Sequence, residues 1–228
     1  MERFTFKEFA KQFKTQDFWK KFFIMMLGIF FMGFFLSFLR AVGWGTDPYT
    51  FQNENIRLRL GWSLGNWQLL FNAILFIFVF IFNWRLIGLG TLANFICIGY
   101  TADFFNWLWA KVIPDAVFHD PAYLWLKIII FALAIFFFVI SASVYMNAEM
   151  GLSPYDGTAS ILSSWHKKVP FFVIRICYDM FAIFIGILAT LGTRTNIRST
   201  LIGSVIMALA LGPAITLTGK FMKRCIFK

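Results

Sequence analysis

Gly151-Leu152-Ser153-Pro154-Tyr155-Asp156 is a short polar turn between two long apolar runs, with an echo 106 residues upstream in Gly45-Thr46-Asp47-Pro48-Tyr49-Thr50. Each copy follows an apolar span and precedes a short segment, Tyr49–Leu60 or Tyr155–Trp165, and then two further spans. Asn72 aligns with Asp179 at an offset of 107, and Thr91-Leu92 with Thr200-Leu201 at 109. A drift of three residues is what small loop insertions produce. The chain reads as one unit used twice.

The unit is built for lipid. Of 228 residues, 60% are hydrophobic and only 14% charged, with a mean hydropathy of +0.73. Soluble domains are nearer half apolar and a quarter charged. The apolar residues fall in runs near or above ~18 residues, the length a helix needs to cross a bilayer. Thirty-two Phe and nine Trp suit a lipid-facing surface with aromatic belts. The +10 net charge gathers largely at the two ends, which points to an anionic membrane surface and excludes nucleic acid as the partner. Cys97 and Cys177 stand alone in apolar spans and Cys225 in the basic tail, so both span cysteines read as buried small hydrophobes rather than metal or disulfide positions. The first apolar run starts late and lacks a small-residue cleavage site, so it reads as a retained span.

The expected fold is an all-α polytopic membrane protein of six transmembrane helices. The spans are Phe22–Val42, Asn66–Phe82, Leu86–Ala110, Tyr123–Asn147, Pro170–Leu191 and Asn196–Lys220. Residues 1–21 form a cytoplasmic segment, with Phe6, Phe9 and Phe13 on one face of a helix over 4–21 and Lys7, Lys11 and Lys14 on the other, an interfacial pattern. The membrane domain is 22–222, with repeats at about 22–110 and 123–220, and 221–228 is a basic cytoplasmic tail. Pro114 and Pro121 break the connection between repeats. Pro170 suits the first turn of a helix, and Pro213 predicts a kink or break in the last span. With the N-terminus inside, thirteen Lys and Arg fall in cytoplasmic segments against seven outside, so both ends are expected in the cytoplasm.

Three spans per repeat is an odd number, so successive repeats enter the membrane from opposite sides. In secondary transporters that inverted arrangement places the binding site near midplane beside broken helices. The two short segments after the Gly-x-x-Pro-Tyr motifs are either such half-helices or interfacial helices lying flat. Ile56-Arg57-Leu58-Arg59-Leu60 is polar enough for the first to lie flat, whereas Asp156-Gly157-Thr158-Ala159-Ser160 is small enough for the second to re-enter.

Gly151–Asp156 as Gly-x-x-Pro-aromatic-Asp, the Gly90-Thr91 span start and the six-span frame together resemble the YczE/YitT-like bacterial integral membrane proteins. The resemblance covers about residues 22–222. It is closer to the YczE branch, because YitT proteins generally carry a soluble C-terminal domain and this sequence stops at Lys228. It implies a multi-pass protein of the bacterial cytoplasmic membrane and no particular activity. Two positions depart from a symmetric pattern: Thr50 stands where the second copy has Asp156, and Ser199 where the first has Gly90.

Ionisable groups within spans are costly and mark interior cavities. Arg175 and Asp179 are an i,i+4 pair on the fifth span, able to compensate each other or to build a polar cavity in which Asp179 binds a cation or proton. Asp103 lies in the outer half of the third span, and Glu149 and Asp156 bracket the second motif. Asp156 also suits simple helix capping. The candidate binding set is Asp179, Arg175, Asp156, Asp103, Glu149, Ser153, Pro154, Tyr155, Asp47, Pro48 and Asn72. No nucleophile–base pair, metal spacing or phosphate loop occurs, so no catalytic residue, metal or cofactor is expected and nucleotide binding by this chain powers nothing. The reading that fits best is a small-solute secondary transporter or facilitator. A substrate-binding subunit of a larger transport complex and a non-transporting scaffold are the alternatives. Implied partners are the bilayer, a small solute or ion, and either a second copy of the chain or another membrane protein.

Overall fold

A computed structural model describes residues 17–114, 116–192 and 197–225, and every element among them is helical. The helices are α1 (Phe18–Val42), α2 (Pro48–Leu60), α3 (Leu64–Asn83), α4 (Leu89–Val112), α5 (Ala116–His119), α6 (Leu124–Asn147), α7 (Pro154–Trp165), α8 (Phe171–Thr190) and α9 (Arg198–Cys225). Five stretches are long and apolar enough to cross a membrane: Phe18–Val42, Leu64–Leu86, Pro121–Asn147, Phe171–Thr190 and Arg198–Gly219. They mark a multi-pass membrane protein. The third expected span, α4, has 24 residues but is less apolar than the other five, because Thr91, Asn94, Thr101, Asp103 and Asn106 interrupt its sequence.

Boundaries follow local chemistry, with some shifts from expectation. Residues 4–16 of the expected interfacial helix lie outside the described residues, as do 226–228 of the tail. Phe18–Lys21 are instead the first turn of α1, whose start carries packed rings at Phe18, Trp19 and Phe22. Left-handed Gly43 and Gly61 end α1 and α2, as helix-terminal glycines commonly do. Pro170 is the N-cap of α8 rather than a first-turn residue. The last helix runs through Pro213 to Cys225 without the break considered above.

Helix α1 packs along α6 and α4. At Gly28 an added Cβ would lie 2.9 Å from the Tyr145 backbone nitrogen, so only glycine permits the α1–α6 approach. Much of the packing comes in matched couples: α4 on α1 and α9 on α6, α2 on α8 and α7 on α3, α3 on α4 and α8 on α9, α2 on α3 and α7 on α8; α2 also packs on α9. The outer surface is apolar, with Phe23, Ile74, Ile77, Phe104, Phe181 and Ile202 exposed, as lipid-facing side chains are. Trp19, Trp62, Trp107, Trp125 and Trp165 are exposed near helix ends, the pattern of an aromatic belt. Cys177 belongs to this surface too, so it is exposed rather than buried, while Cys97 is half-buried.

Candidate functional site

The two Pro-Tyr motifs build equivalent helix starts. Asp47 caps α2, accepting from the Thr50 backbone N–H at 3.0 Å. Ser153 caps α7, accepting from the Asp156 N–H at 3.0 Å. Pro48 and Pro154 occupy the first helical positions, where a missing N–H costs nothing; both are buried and neither is among the cavity residues. Each motif begins with a glycine at positive φ, 136° for Gly45 and 106° for Gly151. These press backbone against the opposite start of a long helix: a Cβ on Gly45 would meet the Gly203 carbonyl carbon at 2.6 Å, and one on Gly151 would strike Gly88 and Thr91. The Thr46 N–H donates to Ser204 Oγ of α9 at 3.1 Å, and the Leu152 N–H to the Leu86 carbonyl before α4 at 3.0 Å.

One residue past each proline, the tyrosines perform the same act. Tyr49 donates its hydroxyl to Asn72 Oδ1 on α3 at 2.7 Å, and Tyr155 donates to Asp179 Oδ1 on α8 at 2.7 Å. Their rings meet with centroids 4.7 Å apart. Asn72 and Asp179, aligned by sequence alone, thus occupy equivalent places. Arg175 joins the second half: Nε donates to Asp179 Oδ2 at 3.1 Å, Nη1 is bonded to Asp156 Oδ1, and the guanidinium carbon sits 5.1 Å from the Tyr155 ring centroid. Ser153 Oγ donates to the second oxygen of Asp156 at 2.7 Å. Such charge-assisted bonds, satisfied on both partners, are what allow ions to be held away from bulk water.

These groups line one cavity of about 220 Å³. Asp47, Tyr49, Thr50 and Asn72 form one side and Ser153, Tyr155, Asp156, Arg175 and Asp179 the other, over walls that include Met32, Leu36, Ile98, Phe138 and Ala142. The offsets that align the motifs pair Gln68 with Arg175, Met32 with Phe138 and Leu36 with Ala142, and all six line the cavity. Among the described residues two buried polar atoms here have no hydrogen-bond partner, Oδ2 of Asp47 and Nε2 of Gln68.

Of the candidate residues, Asp103 is elsewhere. It pairs with Arg40 of α1 at 3.0 Å and accepts the Gly65 N–H at 2.6 Å, capping the first turn of α3. Arg40 also binds Glu54 of α2 at 3.0 Å, and Glu54 pairs with Arg57. The Asp103 pair therefore ties α1, α2, α3 and α4 at the end of the bundle away from the second motif. Glu149 is in the loop before that motif, exposed, at the unusual φ of 55°, and is not among the cavity residues. The first short helix is packed into the bundle. Thr50, Phe51, Gln52, Asn53 and Asn55 are buried, and its polarity is spent on internal bonds such as Trp67 Nε1 to Asn53 Oδ1 at 2.8 Å. Asp120 accepts the Ala122 N–H at 2.8 Å as a local cap.

Tyr49, Thr50, Gln68 and the Arg40–Glu54 pair were not candidates by sequence. Tyr49 and Gln68 were within reach of the repeat itself: the same offsets place them against Tyr155 and Arg175. Among the described residues no group of three His, Cys, Asp or Glu could hold a metal ion.

The profile of a family of unknown function, DUF6198, matches residues 19–220. The chain is also similar to the uncharacterised protein YyaS of Bacillus subtilis (strain 168), at 23% identity over 158 residues, 69% of this chain and 75% of that one. No solved structure matches.

Proposed function

We propose, for a chain that belongs to the DUF6198 family of unknown function, that it is a small-solute secondary transporter or facilitator of a bacterial cytoplasmic membrane, with the central cavity as its solute site. In this reading α4 is a sixth crossing, its polar Thr91 and Asn94 turned to buried surroundings rather than to lipid. The chain is then two three-span repeats of opposite orientation, α1–α4 and α6–α9, with both termini cytoplasmic. Helices α2 and α7 are half-helices entering from opposite faces, their capped N-termini meeting at the Tyr49–Tyr155 contact. The matched packing couples and the paired cavity walls support it. Kinship nearer the YczE branch belongs to the same reading.

One asymmetry carries the argument for transport. Arg40, Glu54 and Asp103 are ion-paired in the first repeat. The positions matched to them by the repeat offsets are Met146, Ser160 and Gly212, which carry no charge and line the cavity. One of two equivalent passages is thus bridged by ion pairs, with Arg40 and Glu54 bordering a separate pocket of about 180 Å³, while the other borders the central cavity directly. A carrier resting in one of its two access states has this asymmetry. By the charge count the closed side is outer, so the cavity is reached from the cytoplasm.

Sidedness tests this directly. With Cys97, Cys177 and Cys225 replaced, Ser160→Cys is expected to react with an impermeant maleimide in inside-out vesicles and not in right-side-out ones. Proteoliposomes loaded with pooled amines, alcohols and carboxylates are expected to lose at least one of them. Equal labelling from both sides, with no solute lost, would point instead to a scaffold or a docking subunit.

A further inference from the structure

We propose that the cavity binds a small organic ammonium ion carrying a hydrogen-bond acceptor, such as an amino alcohol, with Asp47 as the residue that receives the ammonium group. This rests on the central cavity being the solute site. Three carboxylates, Asp47, Asp156 and Asp179, line it against one guanidinium, Arg175. Arg175 is already engaged by two of those acids, so it offers an incoming anion no uncompensated positive charge.

Asp47 is not one of the acids that Arg175 pairs with. One oxygen accepts the Thr50 N–H, and the residue is 8% exposed, yet Oδ2 has no partner among the described residues. A buried carboxylate oxygen without a donor is costly, and a ligand N–H⁺ relieves that cost. The N-terminus of α2 favours the charged form of its cap. The second unpartnered atom is a donor, Nε2 of Gln68, on a residue 2% exposed, so the ligand supplies an acceptor as well.

The walls decide between an organic and an inorganic cation. A bare metal ion needs about six oxygen ligands. Met32, Leu36, Ile98 and Phe138 provide none, and no metal-holding cluster occurs among the described residues. Apolar walls suit a hydrocarbon body, and the Tyr49 ring suits a cation near its face. A volume of about 220 Å³, roughly seven waters at liquid density, suits a small ligand.

The test is binding and flux with 3-aminopropan-1-ol, propylamine, propane-1,3-diol, 3-hydroxypropanoate and sodium chloride, using the full chain in nanodiscs and proteoliposomes. 3-Aminopropan-1-ol is expected to bind best and propylamine more weakly, with neither the diol nor the acid binding. Asp47→Asn is expected to weaken amino-alcohol binding tenfold or more without lowering the unliganded melting temperature, since Asn caps a helix as Asp does. Asp120→Asn, outside the cavity, is expected to leave binding unchanged. Should Asp47→Asn not fold, the charge selectivity of the unaltered protein decides alone. The assignment is overturned if the diol or the acid binds as well as the amine, if sodium chloride reproduces the effect, if Asp47→Asn binds normally, or if nothing in the set binds. Flux of the diol or acid without amine binding overturns this assignment and leaves transport standing. Amine binding without any flux overturns transport and leaves the assignment standing.

Discussion

Arg175 holds two acids, Asp156 and Asp179, in a part of the protein where each ion depends on the others. Removing it should cost more than removing the whole triad of charges. Arg175→Met is expected to lower unfolding stability by about 3–5 kcal/mol, because two carboxylates are left facing each other with little water. Combining it with Asp156→Asn and Asp179→Asn should restore most of that loss, a comparison read by denaturant unfolding in detergent. The equivalent tyrosines separate charge from geometry. Tyr155→Phe deprives a carboxylate of its donor and is expected to cost about 1.5–3 kcal/mol, whereas Tyr49→Phe deprives only the Asn72 amide and should cost about 1 kcal/mol. Equal losses in melting experiments on the two variants would contradict an ionised Asp179.

At the scale of elements, the short helices are placed by their glycines and caps rather than by hydrophobicity. Helix α2 is polar along much of its length, yet it is buried: Asn53 accepts from Trp67 and Glu54 pairs with Arg40 on other helices, while Asn53 and Asn55 donate to carbonyls of α2 itself. Gly45 and Gly151 let the chain turn against the backbone of another helix. Gly45→Ala and Gly151→Ala therefore combine unfavourable φ with backbone collision, and both are expected to abolish recovery of monodisperse protein. Gly43→Ala shares the positive φ but has open space around it, so its cost should be only about 1–2 kcal/mol by thermal melting. A matching collapse at Gly43 would mean that backbone conformation, not close approach, sets the penalty at all three.

For the whole molecule, under the proposed transport function, the Arg40–Glu54–Asp103 ion pairs set which passage is shut. Arg40→Ala leaves two carboxylates without their shared cation, and it should shift the protein toward the alternative access state. The expected readout is Ser160→Cys reactivity appearing in right-side-out vesicles when Arg40→Ala is added, with weaker labelling in inside-out ones. Unchanged sidedness would assign the cluster to packing alone.

The membrane class, the starts of both short helices and the matching of Asn72 with Asp179 as tyrosine partners were legible in the sequence. Each depends on hydrophobic run length or on local backbone chemistry, both of which are written in neighbouring residues. The gathering of Arg175, Asp156 and Asp179 around one cavity was only half visible, because i,i+4 spacing joins two of them while the third lies on another helix. Asp103 read as an acid of the same kind, and its partner Arg40 is 63 residues away. Asp47 and Asn72 were candidates and line the cavity from the first repeat, but that Tyr49, Thr50 and Gln68 join them there was not read from the sequence. Whether a polar group is paired, buried alone or turned to a cavity depends on which helices meet. That is settled by packing between distant segments, and only the tertiary structure decides it.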